Sequence, residues 1–332
     1  MFKFYIIISS IGLTNCYMIQ KITEPLLLGE GPHWDASQQV LYFVDITNST
    51  IHKYNPRTDK HDYTVIVLVN FLAGGPVTFI IPITGTSNEF LVSTGLDIRH
   101  IIWNGETSSA PTYSSILYSA LQISDGSRFN DAKVDRHGSL WAGTMGPEEI
   151  PNVITKRSGK LYKISQNTGI ITELKDILIS NGLAWTINGS VMYYTDTGNN
   201  TIDSFDFNET AEISISNRKE ILNYTKEGIK GQTDGFTIDT RGHLWLACYG
   251  GYQVIEVDPQ TRKVLTSIRI HAPQVTSVTW GGANLDELYV TTARKSLTVE
   301  ESKNFPDSGA TFKITGLNAR GYPAENYIMY KN

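Results

Sequence analysis

The sequence predicts an all-β chain, a six-bladed β-propeller with a metal in its central channel. Three observations carry this. An aromatic residue opens a strand after a Gly or polar turn six times, at Tyr42, Phe90, Trp141, Tyr193, Trp245 and Tyr289. The successive spacings are 48, 51, 52, 52 and 44 residues, and such a period, filled with short strands, marks a propeller. Composition agrees: the chain has 28 Gly and 11% aromatic residues, with few charged runs of helical type. Its 332 residues, 40% of them hydrophobic, supply an ample core.

At the N-terminus, Lys3 precedes an apolar run from Phe4 to Leu13, then small and polar residues through Cys16. This is the layout of a secretory signal over residues 1–17, followed by a single propeller domain over 18–332. The run is too short to span a bilayer, and it also reads as a first strand. Sequons at Asn48, Asn188, Asn199, Asn208 and Asn223 fit a secreted chain. A start at Met18 would instead leave a cytoplasmic form. Cys16 leaves with the signal and Cys248 lies in a strand pattern, so there is no disulfide framework and no Cys-based zinc site.

Each aromatic landmark closes an apolar hairpin, as in VDRHGSLWAG and TIDTRGHLWLA. A further strand follows most of them, such as IHKYNP, LYKISQ or VIEVDP. The stretch from Ser127 to Thr144 organises the rest. Its second half, Val134 to Trp141, is the recurring hairpin; its first half, Arg128-Phe129-Asn130-Asp131, places a cation, an amide and a carboxylate just ahead of it.

In a propeller the innermost strands line the channel, so equivalent positions meet at one mouth. Counting back ten to twelve residues from the landmarks gives Glu30, Thr78, Asn130 with Asp131, Asn181, Asp234 and Ser277, all polar. A lone Asn or Asp there is most simply a turn former. The joint register of Glu30, Asn181 and Asp234 suggests an oxygen-only site for one divalent cation, Ca²⁺ foremost, with Mg²⁺ or Mn²⁺ as alternatives. Zn²⁺ is admissible but favours His or Cys. Arg128 lies two residues before Asn130, on the same side of an extended chain, and a guanidinium donates in a fixed fork. Glu148 sits in the Gly- and Pro-rich GTMGPEEIPN loop, placed to cover the mouth. His33 reads as structural, and no nucleophile elbow or P-loop occurs. A net charge of -5 with scattered Lys and Arg argues against nucleic acid as a partner. The chain reads as a monomer, off the membrane once the signal is removed.

At these residues the chain resembles the senescence-marker-protein/gluconolactonase/regucalcin family, which includes the luciferin-regenerating enzymes. The matching segments are GEGPHWD, LYFVD, RFNDAKVD, WAGTM, SNGLAW, LWLACYGG, VTSVTWGG and FKITGL, in order from Gly29 onward. The resemblance implies a six-bladed propeller with one divalent metal and lactone-hydrolase activity. It implies Glu30, Asn181 and Asp234 as metal ligands and Arg128, Asn130 and Glu148 as substrate contacts. Asp131 falls on the family's Asn-Asp pair. Ala132 stands where the family has Gly, and Leu72 to Pro76 reads as a short insertion.

The expected activity is metal-dependent hydrolysis of lactones or small cyclic esters. The cation polarises the carbonyl and activates water, and Asp234 acts as general base. Two rival expectations use the same sequence: a non-catalytic calcium-binding regulator, and an extracellular interaction propeller working through its rim.

Overall fold

The computed structural model describes residues 4–6, 17–67, 75–120, 126–150, 153–211 and 213–330. Most of the stretch read as a signal, including Cys16, lies outside these residues, as does most of the Leu72 to Pro76 insertion. Within that stretch Phe4–Ile6 pairs antiparallel with Met18–Lys21.

Four antiparallel four-stranded sheets follow one another along the chain, and their innermost strands come first in sequence. The first sheet runs from Gly29–Asp35 through Val40–Asp45 and Thr50–Asn55 to Lys60–Val65. The second covers residues 80–119, the third 128–177 and the fourth 180–223. A nine-stranded sheet takes the rest. Its strands from Gln232–Ile238 to Lys263–Arg269 meet those beginning at Gln274–Gly281 through one residue pair, Tyr249 with Gln274. Met18–Lys21 adds to Phe312–Thr315 there, so the two ends of the chain close the same sheet. The fold is an all-β propeller. A single short helix, Val299–Asn304, occurs among the described residues, with a capping box between Thr298 and Glu301.

All six aromatic landmarks fall on the second strand of a meander. The hairpin phrase has a physical basis. Asp135 accepts the backbone N–H groups of His137 and Ser139 and the Trp141 indole N–H, the last at 2.9 Å. Asp239 does the same for Arg241, His243 and Trp245. One carboxylate thus shapes the turn and anchors the large ring that fills the space between sheets. Trp34, Trp141, Trp245 and Trp280 are among the largest fully buried side chains.

The far end of the channel is crossed by the C-terminal segment. Gly321 bridges Asp239, Asn326 Oδ1 contacts His33 Nε2 at 2.9 Å, and Ile328 N–H donates to Gly138. His33 is buried and committed there, in keeping with its structural reading. The Glu30 end is the one with the polar cluster.

Candidate metal centre

Glu30, Asn130 with Asp131, Asn181 and Asp234 each lie at an irregularity of an innermost strand. The ladder shifts between Glu30 and His33, between Phe129 and Ala132, between Ser180 and Leu183, and between Thr233 and Phe236. A bulge releases residues from the ladder and re-aims their side chains. Glycine completes two of these points. A Cβ on Gly182 would lie 2.2 Å from the Phe236 ring, and one on Gly235 would lie 2.0 Å from Ser277 Oγ. Asn181-Gly182 and Asp234-Gly235 therefore let adjacent innermost strands approach closely.

The structure brings Glu30, Asp131 and Asp234 together. Burial and the charge on Asp131 push the Glu30 carboxyl up to about 8, against the Gly31 N–H and Arg128. Burial, then Glu30 and Asp131, hold Asp234 well above the ordinary carboxylate range. Burial raises Asp131 as well, against Lys133 and the Ala132 N–H. Among the described residues each of the three carboxylates receives one hydrogen bond, from the N–H of the residue that follows it.

The amides are held more firmly. Asn181 Nδ2 donates to Thr197 Oγ1 at 2.8 Å, and that hydroxyl donates onward to the Thr233 carbonyl. This chain of donors fixes which end of the amide is oxygen, and Oδ1 is left to accept from Asn130 Nδ2 at 3.2 Å. Asn130 Oδ1 accepts from Arg128 at 2.9 Å. Arg128 is lowered to about 10 by burial, while Glu148 and Glu30 counter that shift.

Glu148 lies on the rim. The loop expected to cover the mouth is a two-stranded hairpin, Glu148–Ile150 with Val153–Ile154. Thr78 and Ser277 do not join the cluster: the Thr78 amide and hydroxyl are both tied to Ser93, and Ser277 packs on Gly235. Ala132 is buried, paired with Ala142, so the Cβ that replaces glycine packs in the core. Cys248 is a free buried thiol, pushed up to about 12 by burial.

Three residues were missed from sequence. Thr197 orients Asn181. Tyr249 faces Asp234, Glu30 and Glu148 and is pushed up to about 12, mainly by burial. Lys133 reaches across the channel to donate to the Phe236 carbonyl at 2.8 Å; burial lowers it to about 8, although Asp131 opposes this. The Lys in RFNDAK was the available signal, three residues past the amide and on an inner strand.

Three carboxylates thus stand against two cations, Arg128 and Lys133. The donor set is all oxygen, its carboxylates repel one another, and Asn181 Oδ1 is oriented by its neighbours. These residues fit a hard divalent cation. A second grouping, Asp239, His243 and Glu256, has ligand atoms within 4.8 Å of one another. There the Arg241 guanidinium already binds Asp239 Oδ2 and Glu256 Oε1, so both carboxylates already have a cationic partner.

The fold and this site define a class: propellers with a cluster of carboxylates and amides at one channel mouth. The family model described as SMP-30/Gluconolactonase/LRE-like region matches residues 28–294, and the chain belongs to that family. Regucalcin of Oryctolagus cuniculus is 33% identical over 300 residues, 90% of this chain and 94% of its own length. A luciferin-regenerating enzyme superimposes with a TM-score of 0.86 at 34% identity, covering 94% of this chain and 99% of that one. A calcium-binding regucalcin from Agrobacterium tumefaciens superimposes with a TM-score of 0.80 at 22% identity, covering 93% and 97%, and speaks for the fold alone.

Proposed function

We propose that this chain is a divalent-cation-dependent hydrolase of lactones or related small cyclic esters. The observation that carries the reading is the cluster of half-buried Glu30 and Asp131 with buried Asp234, each with a single hydrogen bond among the described residues, beside the oriented amides of Asn130 and Asn181. We read the fold as six blades, the nine-stranded sheet being two blades joined at the Tyr249–Gln274 pair. Glu30, Asn181 and Asp234 would hold the cation, with Ca²⁺ the best fit to an all-oxygen set and Mg²⁺, Mn²⁺ or Zn²⁺ as alternatives.

When bound, the cation would act as a Lewis acid on the ester carbonyl. The chain's own residues do the rest. Arg128 donates to a substrate oxygen, and its hydrogen bond to Asn130 fixes the direction of the fork. Asn130 presents its amide beside it. Asp234, restored to a carboxylate by an opposing charge, takes a proton from the attacking water and returns it to the ring oxygen as the acyl–oxygen bond breaks. The product is the open hydroxy acid.

The test is purified protein with Ca²⁺, Mn²⁺ or Zn²⁺ against a panel of sugar and aromatic lactones. Hydrolysis at background throughout removes the enzyme reading. The regucalcin relatives favour one alternative, a cation-binding protein without turnover. Calorimetry and kinetics of Arg128→Ala separate the two: retained cation affinity with lost turnover supports the hydrolase. We also propose that the chain is exported as a monomer with glycan on Asn199, whose exposed side chain lies in the turn before Thr201–Phe207. Intact mass from a eukaryotic secretion host checks this, and a glycan-free chain retaining Met1 speaks against it.

A further inference from the structure

Lys295 and Glu148 meet over the channel mouth, Nζ to Oε1 3.3 Å. Their backbones belong to distant parts of the ring. Glu148 opens the hairpin inserted in the third sheet, and Lys295 follows the strand Glu287–Ala293. Between them the innermost strands Arg128–Val134, Ser180–Trp185, Gln232–Ile238 and Gln274–Gly281 pack each on the next. The contact therefore crosses the mouth.

The two partners are held differently. The N–H groups of Arg294 and Lys295 both donate to the Leu27 carbonyl, at 3.0 and 2.8 Å, and Leu28 bridges Ala293. That segment leads directly into the strand bearing Glu30, so the backbone of Lys295 is tied to the metal side of the site. Glu148 rides on an exposed two-stranded hairpin, faced from inside the mouth by Arg128 and Tyr249. Lys295 has Glu148 as its side-chain partner among the described residues. The two side chains are 33% and 30% exposed, and an ion pair so open to water is weak. A substrate group displaces it at small cost. An ammonium only donates and a carboxylate only accepts, so a hydroxyl, which does both, can sit between them.

We propose that Lys295 is a further substrate-contacting residue that determines specificity. With Glu148 it reads a hydroxyl on the side of the lactone remote from the reacting carbonyl, and so selects hydroxylated lactones over bare ones. This rests on the lactonase reading and deepens it.

Lys295→Met tests it, because the stem is kept and the charge removed. With saturating Ca²⁺, kcat and KM are measured on δ-gluconolactone, rich in hydroxyls, and on dihydrocoumarin, which has none. Calorimetry measures the affinity for 1,5-anhydroglucitol, a cyclic polyol with no ester. The preference for gluconolactone should fall about fivefold to tenfold, through KM, with a matching loss of anhydroglucitol affinity. Lys295→Arg should recover part of both, and a retained Ca²⁺ thermal shift shows the variant folded. Equal losses on the two lactones, or an unchanged preference, would overturn the inference. If the unaltered protein turns over neither lactone, the hydrolase reading fails while the polyol arm still decides on Lys295. Weakened anhydroglucitol binding then supports its role, and unchanged or absent binding overturns it.

Discussion

The same innermost strands carry carboxylates at both ends, and the two sets live in opposite surroundings. At the far end Asp35, Asp135 and Asp239 are saturated with donors. Asp35 takes the backbone N–H groups and the side chains of Ser37 and Gln38. Burial raises it, but those hydrogen bonds win and hold it below the ordinary range. At the mouth Glu30, Asp131 and Asp234 have one donor each and face one another, and all three are raised. A buried carboxylate with several donors is an element of the fold. A carboxylate that lacks them, grouped with others of its sign, is a candidate site for a cation.

The largest expected effect tests the mouth. Asp234→Ala should abolish the Ca²⁺-induced rise in melting temperature and cut lactone turnover roughly 10²- to 10⁴-fold, since ligand and proton acceptor are lost together. A thermal shift that survives would break the assignment. Asp135→Ala tests the far end, leaving the His137 and Ser139 N–H groups and the Trp141 indole without their acceptor. It should cost about 3–5 kcal/mol in denaturant unfolding while the folded fraction still responds to Ca²⁺. A loss below ~1 kcal/mol would mean that the hairpin does not depend on its aspartate.

An effect on cation affinity comes next. Thr197→Val keeps the volume but removes the acceptor that orients Asn181, and should weaken Ca²⁺ about tenfold by calorimetry. Unchanged affinity would show that Asn181 needs no such support. Glu148→Ala should leave the thermal shift intact while raising KM several-fold, roughly as expected for one charged hydrogen bond.

The gentlest test is pH in the presence of EDTA. Glu30 is held at about 8 in the folded protein, above the ordinary value of a glutamate. Its contribution to stability is fully present below that ordinary value and is lost as the pH rises through about 8. Melting temperature in EDTA should therefore decline from about pH 5 to 8, and saturating Ca²⁺ should remove most of the slope. Asp35, held low, contributes the opposite slope: its stabilisation is present above the unfolded value and disappears as the pH falls through the folded one. A flat EDTA profile would mean that the mouth carboxylates do not repel one another as their burial implies.

The sequence by itself determined the repeated unit. A buried ring at fixed distance from an acidic turn is a local requirement, because Asp135 and Trp141 are six residues apart and bond directly. Such short-range chemistry leaves a period that can be counted, and counting back along it reached Glu30, Asn181 and Asp234. The tertiary structure decided what a strand's alternation hides. Bulges broke the two-residue period at the site, so whether Asp131 faces Glu30 depended on ladder irregularities invisible in the chain. Thr197, Lys133, Tyr249 and Lys295 take part through contacts with residues distant in sequence or on other strands. Their roles exist only once the sheets are closed around a channel, since an electrostatic field or a hydrogen bond across it depends on separation in space and not along the chain.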